Sequence, residues 1–225
     1  MNEIIARVRQ SLQDAKKDEQ NLKGRSLNTP TVRKVAKEGF TWVRTMPKAE
    51  LFELCERLLD SGTWEQRTIA FEWAFRIRRQ FSTQDFARFE SWLAQYVDGW
   101  GSCDDFCTHA FGDLIFKFPE YIPRVKIWTK SEDRWFRRGA AVVMIYSVRR
   151  EQRFEDCFEI ADLLLMDGDD LVQKGYGWML KEISKYDPQA VFDFVMQRKG
   201  HMPRTSLRYA IEKLQPELRQ QAMEK

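Results

Sequence analysis

Apolar residues recur along the chain at three- and four-residue spacing, as in Leu51, Leu54, Cys55, Leu58, Leu59 and again in Phe86, Phe89, Trp92, Leu93, Tyr96. That spacing marks one face of a helix turning every 3.6 residues. No alternating run of β-branched residues bounded by hairpin signals interrupts it, so the pattern predicts an all-α fold. Turn and cap residues cut the chain near Gly24 to Thr29, Thr45 to Lys48, Ser61 to Thr63, Asp98 to Ser102, Lys130 to Asp133, Asp167 to Asp169 and Gly200 to Pro203. The expected product is about a dozen short helices, which suggests helical hairpins in series.

A second periodicity lies over the first. A basic residue followed three positions on by a small one recurs as Arg33 with Ala36, Arg67 with Ala70, Arg138 with Ala141 and Lys174 with Gly177, and Arg208 with Ala210 is a looser member. The intervals are 67−33 = 34, 138−67 = 71, 174−138 = 36 and 208−174 = 34. The long gap is two periods, and its midpoint falls near Asp104, with small Cys107 at the +3 position. This is a HEAT-like repeat on the short side. The sequence is therefore expected to form a single domain over 1–225, a right-handed superhelical solenoid of about six helix pairs. The small residues would let neighbouring helices approach, and the cations would line a concave groove. Such a ladder suits a phosphate backbone, although many solenoids bind proteins in the same groove.

Composition narrows the field. With 225 residues, 43% hydrophobic and 32% charged, the chain reads as a globular protein with a sizeable core. Charges are spaced through the start, MNEIIARVRQSLQDAKKDEQ, and no later stretch is apolar for a membrane span, so a cytoplasmic protein is expected. Cys55, Cys103, Cys107 and Cys157 are too scattered for a disulfide scaffold. Cys103, Cys107 and His109 lack a second pair at zinc spacing, so no metal is expected. Net charge is only +3, but Arg124 to Arg153 holds nine basic and three acidic residues, and Glu155 to Asp170 holds seven acidic and none basic. The contrast fits either a polarised surface with a face for a polyanion or the solvated outer faces of separate helices.

One repeat exchanges its cation for Asp104. Ser102 is a plausible N-cap with Asp105 completing a capping box, which would start a helix at Cys103 and put Asp104 in the first turn. First-turn acids are commonly structural. Trp100 just before, and Trp178 one helical turn after Lys174, read equally as core packing. Were the aromatics to face the groove, an anion would stand between aromatic faces inside a positive cleft, an environment that stabilises a transient cation on a polyanionic substrate. Cleavage of an N-glycosidic bond generates such a cation at the sugar. A purine alkylated at N3 or N7 already carries positive charge, so one carboxylate would suffice where glycoside chemistry normally needs two.

The chain resembles the AlkD family of alkylpurine DNA glycosylases through Asn28-Thr-Pro-x-x-Arg33-Lys34, Trp100-x-x-x-Asp104, Phe111-Gly-Asp-Leu-Ile-Phe, Trp135-Phe-Arg-Arg-Gly-Ala-Ala and Lys174-Gly-Tyr-Gly-Trp-Met-Leu-Lys-Glu. No one of these is specific; their order and spacing are. The resemblance implies excision of positively charged N3- and N7-alkylpurines from duplex DNA in base excision repair, without turning the base into a pocket. It also implies Asp104 as catalytic carboxylate, Trp100 and Trp178 as aromatic walls, and Arg138 as a backbone contact shaping the site. Where the family has a second aromatic and a polar residue after the first tryptophan, this chain has Gly101 and Ser102. Arg67, Lys126, Arg137, Arg149, Lys174 and Arg208 are the candidate DNA contacts. A monomer without cofactor is expected. The alternatives are a non-catalytic binder of DNA or of unusual DNA structures, and a HEAT-type protein scaffold.

Overall fold

In the computed structural model, residues 1–23 and 27–224 are described, and none of them lies in a strand. They group into two compact units, Met1–Phe81 and Ser82–Lys225. The first holds α1 (Asn2–Lys23), α2 (Thr29–Gly39), α3 (Lys48–Leu59) and α4 (Trp64–Arg76). The second holds α5 (Asp85–Tyr96), α6 (Trp100–Phe106), α7 (Gly112–Lys117), α8 (Ile122–Trp128), α9 (Arg134–Val142), α10 (Ile145–Val148), α11 (Phe154–Leu163), α12 (Asp170–Ile183), α13 (Pro188–Arg198), α14 (Arg204–Ala210) and α15 (Pro216–Met223). A π-helical turn, Cys107–Phe111, joins α6 to α7.

Local chemistry sets most of the boundaries. The carboxylates of Asp133, Asp169 and Asp187 accept the backbone N–H of Trp135, Leu171 and Ala190 at 2.8, 2.9 and 2.9 Å, which starts α9, α12 and α13. Asn28 caps α2 by accepting the Thr31 N–H at 3.0 Å, while Gly24 to Ser26 of that expected break lie outside the described residues. The chain also breaks where no glycine announces it. Glu151 and Arg153 adopt left-handed φ of 57° and 67° ahead of α11, a conformation that strains an L side chain.

The periodic apolar faces are the core. Leu51, Leu54, Cys55, Leu58 and Leu59 are fully buried in the first unit, where the Trp73 indole N–H donates to the Ala36 carbonyl at 2.8 Å. In the second unit Phe89, Trp92, Phe106 and Phe111 form an aromatic cluster with ring centroids 5.1–6.0 Å apart. Here the helices pair as α5/α6, α8/α9, α11/α12 and α13/α14, and the second members stack in series, α6 on α9, α9 on α12, α12 on α14. This is the helical-hairpin series of an α-solenoid.

The small residues of the repeat do what their size permits. Cys107, Ala141 and Ala210 are fully buried. At Gly177 a methyl group would lie 2.7 Å from Tyr209 Cβ and 3.0 Å from the Ser206 carbonyl, so α12 and α14 meet at that distance only because the side chain is absent. Ion pairs then tie successive hairpins: Arg124 to Glu90, Lys126 to Glu159, Arg138 to Asp104 and Arg149 to Glu182 span 34, 33, 34 and 33 residues.

The charge contrast between Arg124–Arg153 and Glu155–Asp170 does not make two separate faces. Lys126 contacts Asp156 and Glu159 at 2.9 and 2.5 Å, Arg134 contacts Asp169 at 2.9 Å, and Arg137 contacts Asp167 at 2.7 Å. Neighbouring repeats thus neutralise much of each other's charge.

Candidate functional site

Trp100, Asp104, Arg138, Leu171, Lys174, Trp178, Lys181 and Tyr209 line one cleft of about 400 Å³ in the second unit. Helices α6, α9, α12 and α14 supply it. Trp100 and Asp104, four residues apart, share a face of α6. Arg138 comes from α9; Leu171, Lys174, Trp178 and Lys181 form one stripe of α12; and Tyr209 comes from α14. The register that carries Arg138 and Lys174 brings Asp104 into the same cleft as both cations and the two tryptophans.

The start of α6 differs from the capping-box expectation. Gly99, extended at φ −156° and ψ 162°, precedes a helix that begins at Trp100, and Ser102 donates its hydroxyl to the Gly99 carbonyl at 3.0 Å instead of capping. Asp105 is one turn before His109, whose Nδ1 lies 2.8 Å from the Asp105 carbonyl. Asp104 therefore belongs to the second turn, beyond the strongest pull of the helix N-terminus. The earlier start is also what puts Trp100 on the same helical face as Asp104.

Arg138 grips that carboxylate. Its Nε donates to Asp104 Oδ1 at 2.9 Å, and its Nη2 donates to Oδ1 and Oδ2 at 2.7 and 2.9 Å. The remaining Nη1 donates to the Leu171 carbonyl at the start of α12. The Arg138 side chain is 6% exposed and that of Asp104 20%. Burial pushes the Asp104 carboxyl above its ordinary pKa, and the Arg138 charge and hydrogen bonds pull it only partly back.

The aromatic walls are unequal. Trp100 is 63% exposed, so packing does not account for it. Trp178 is half-buried, and its indole N–H donates to Glu182 Oε1 at 3.0 Å. Lys174 is engaged by Asp170 at 2.5 Å, and that hydrogen bond raises its pKa. Lys181 contacts Glu212 at 3.1 Å and stands 5.5 Å from the Tyr209 ring centroid.

Of the candidate DNA contacts, Lys174 alone lines this cleft. Arg149 lies close by, 5.8 Å over the Trp178 ring and 3.4 Å from Glu182. Arg208 lines a separate cleft with Ile211, Pro216 and Arg219. Arg137 is directed to Asp167 and to the Ser131 and Glu132 carbonyls, and Lys126 to the carboxylates of α11. Arg67 is on α4 of the first unit. Lys181 and Tyr209 were missed in the sequence, although Lys181 follows Lys174 by seven residues and so shares its face, and Tyr209 adjoins Arg208.

Among the described residues no group of three or more His, Cys, Asp or Glu is placed to hold a metal ion, and no helix is long and apolar enough to cross a membrane. The four cysteines are buried and form no disulfide.

The family model described as DNA alkylation repair enzyme matches residues 6–214. Among solved structures, a predicted DNA alkylation repair enzyme from Enterococcus faecalis has the same fold, with a TM-score of 0.74 at 18% identity over 90% of this chain and 96% of that one. No curated protein matches the sequence.

Proposed function

The chain belongs to the DNA alkylation repair enzyme family, and we propose that within it the protein is a monofunctional glycosylase, hydrolysing the N-glycosidic bond of N3- and N7-alkylated purines in duplex DNA. The observation that carries this reading is the Asp104 carboxylate, held by Arg138 in one cleft with Trp100 and Trp178.

The chemistry needs little else. As the C1′–N bond breaks, its electron pair neutralises the alkylated base, which departs without a proton donor. The sugar is left as an oxocarbenium ion. A fixed carboxylate beside it stabilises that charge, and the aromatic faces add attraction for a cation. Arg138 presents two N–H groups on one edge to the carboxylate, with Nη2 shared between its two oxygens, which leaves acceptor capacity for substrate or water. Water then adds to C1′ and gives its proton to Asp104, whose raised pKa makes it a better base than an exposed aspartate.

Two further features support the reading. Lys174, in the same cleft, has its pKa raised by the Asp170 hydrogen bond, which keeps it an ammonium and unsuited to Schiff-base attack. Trp100, largely exposed, is available to a duplex backbone without any rearrangement of the core. Lys174 and Arg149 are the best placed of the candidate phosphate contacts, and the protein would act as a monomer on its DNA.

The test is incubation of the purified protein with methylated duplex DNA. Free N7-methylguanine and N3-methyladenine, with abasic sites and no strand nicks, are expected. Tight DNA binding with no released base would overturn the enzyme reading in favour of a DNA-structure binder, and no binding even at low salt would favour a protein scaffold.

A further inference from the structure

Glu182 is a buried acid that the proposed chemistry does not use. It lies one turn beyond Trp178 on α12 and is 5% exposed. Its two oxygens divide their work. Oε1 accepts the Trp178 indole N–H at 3.0 Å, while Oε2 accepts from Lys185 Nζ at 2.7 Å and from Arg149 Nε at 3.4 Å. The Arg149 guanidinium in turn stands 5.8 Å from the Trp178 ring centroid.

Such an arrangement exceeds what packing requires. A leucine would fill the same volume without the cost of taking a carboxylate out of water. Burial alone would raise the Glu182 pKa, yet the bonds from Lys185 and Trp178 and the charge of Arg149 hold it below the ordinary carboxylate range, so the group is anionic. An indole N–H bonded to an anion on its own helix, one turn away, has its ring tilt fixed, because both ends of the bond move with the same rigid segment.

We propose that Glu182 is a positioning residue, which fixes the Trp178 wall of the cleft and ties it to Arg149, so that one carboxylate sets both the aromatic face and a backbone-facing arginine. This rests on the glycosylase reading of the cleft. Through it, engagement of a phosphate by Arg149 is coupled to the angle of the ring beside the lesion.

The experiment is a double-substitution cycle, read as single-turnover release of N7-methylguanine from duplex DNA with enzyme in excess. Glu182→Leu and Trp178→Phe are each expected to slow release by about tenfold, the effect of losing a charge-assisted hydrogen bond that orients a wall of the reaction site. Together they are expected to slow it by no more than about twofold beyond Glu182→Leu alone, since that substitution already breaks the bond that Trp178→Phe removes. Losses that multiply independently would overturn the proposal. So would Trp178→Phe with full activity, a result that does not depend on Glu182→Leu folding. Lys185 and Arg149 are 44% and 42% exposed, so water can solvate both cations when the acid is removed.

A second reading needs no substrate. The Trp178 Nε1–H resonance, assigned by its loss in Trp178→Phe, is expected to move upfield and exchange faster with solvent in Glu182→Leu, and Glu182→Gln is expected to restore it in large part. An unchanged resonance in Glu182→Leu would overturn the proposal. A wild-type protein that released no base would sink the glycosylase reading and leave the role of Glu182 to be decided by the resonance.

Discussion

Replacing Arg138 with methionine removes three contacts to the Asp104 carboxylate and one to the Leu171 carbonyl, and leaves Asp104 a partly buried, unpaired acid. Breaking a buried ion pair from one side costs about 3–5 kcal/mol. The Asp104 side chain keeps 20% of its surface, so water recovers part of the loss and the lower end, about 3 kcal/mol, applies. For a chain of 225 residues this corresponds to a fall in Tm of about 6–12 °C. The sign of the pH dependence follows from the Asp104 pKa, which burial already raises. A carboxyl whose folded-state pKa exceeds its unfolded value weakens the fold when ionised, and that penalty vanishes as pH falls through the raised value. Arg138→Met removes the charge that pulls the pKa down, so it raises the pKa further. Thermal unfolding followed by circular dichroism should therefore show the Tm deficit largest at neutral pH and shrinking in mild acid. Adding Asp104→Asn to Arg138→Met should abolish that pH dependence. A deficit of less than about 1 kcal/mol at neutral pH, or one that does not change with pH, would refute the reasoning.

Base release should fall along an acid limb centred above the ordinary carboxylate pKa, because protonated Asp104 cannot stabilise the sugar cation; a limb at or below the value of a free aspartate would contradict the burial argument. Trp100→Ala should leave stability within about 0.5 kcal/mol of the wild type, since the side chain is largely exposed, while base release falls by an order of magnitude or more. Lys174→Gln should reduce the slope of log DNA affinity against log salt by about one, because Lys174 lines the cleft and its one partner, Asp170, is exposed, whereas Lys126→Gln, outside the cleft and held by both Asp156 and Glu159, should not. Gly177→Ala should destabilise by about 1–3 kcal/mol in chemical denaturation through contact with Tyr209 and Ser206, while Gly200→Ala, with open space around it, should not destabilise.

The helical class was legible because its signal is local. Residues such as Leu51 to Leu59 repeat at the helical period and are buried together. The repeat was legible for the same reason at longer range: a small residue must stand wherever two helices cross closely, and Cys107, Ala141 and Gly177 do. The gathering of Asp104, Trp100, Arg138 and Trp178 into one cleft follows from that register. Boundaries set by competing short-range bonds were not legible. The Ser102 and Asp105 pattern satisfies a capping box on paper, yet the Ser102 hydroxyl is bonded to the Gly99 carbonyl and the helix starts earlier. Charge counts were also misleading, since the partners of Lys126 and Arg137 stand 33 and 30 residues away, across a hairpin. Glu182 could not be singled out, because nothing in sequence separates a solvated glutamate from one buried under an indole.

The most direct measurement of the central claim is single-turnover release of N7-methylguanine from a duplex by the wild type and by Asp104→Asn, with the affinity of each for undamaged duplex measured in parallel. The account predicts release by the wild type, a loss of about a hundredfold or more in Asp104→Asn, and comparable DNA affinity in both. Equal release by the two proteins would show that the carboxylate in this cleft is not the group on which the reaction depends.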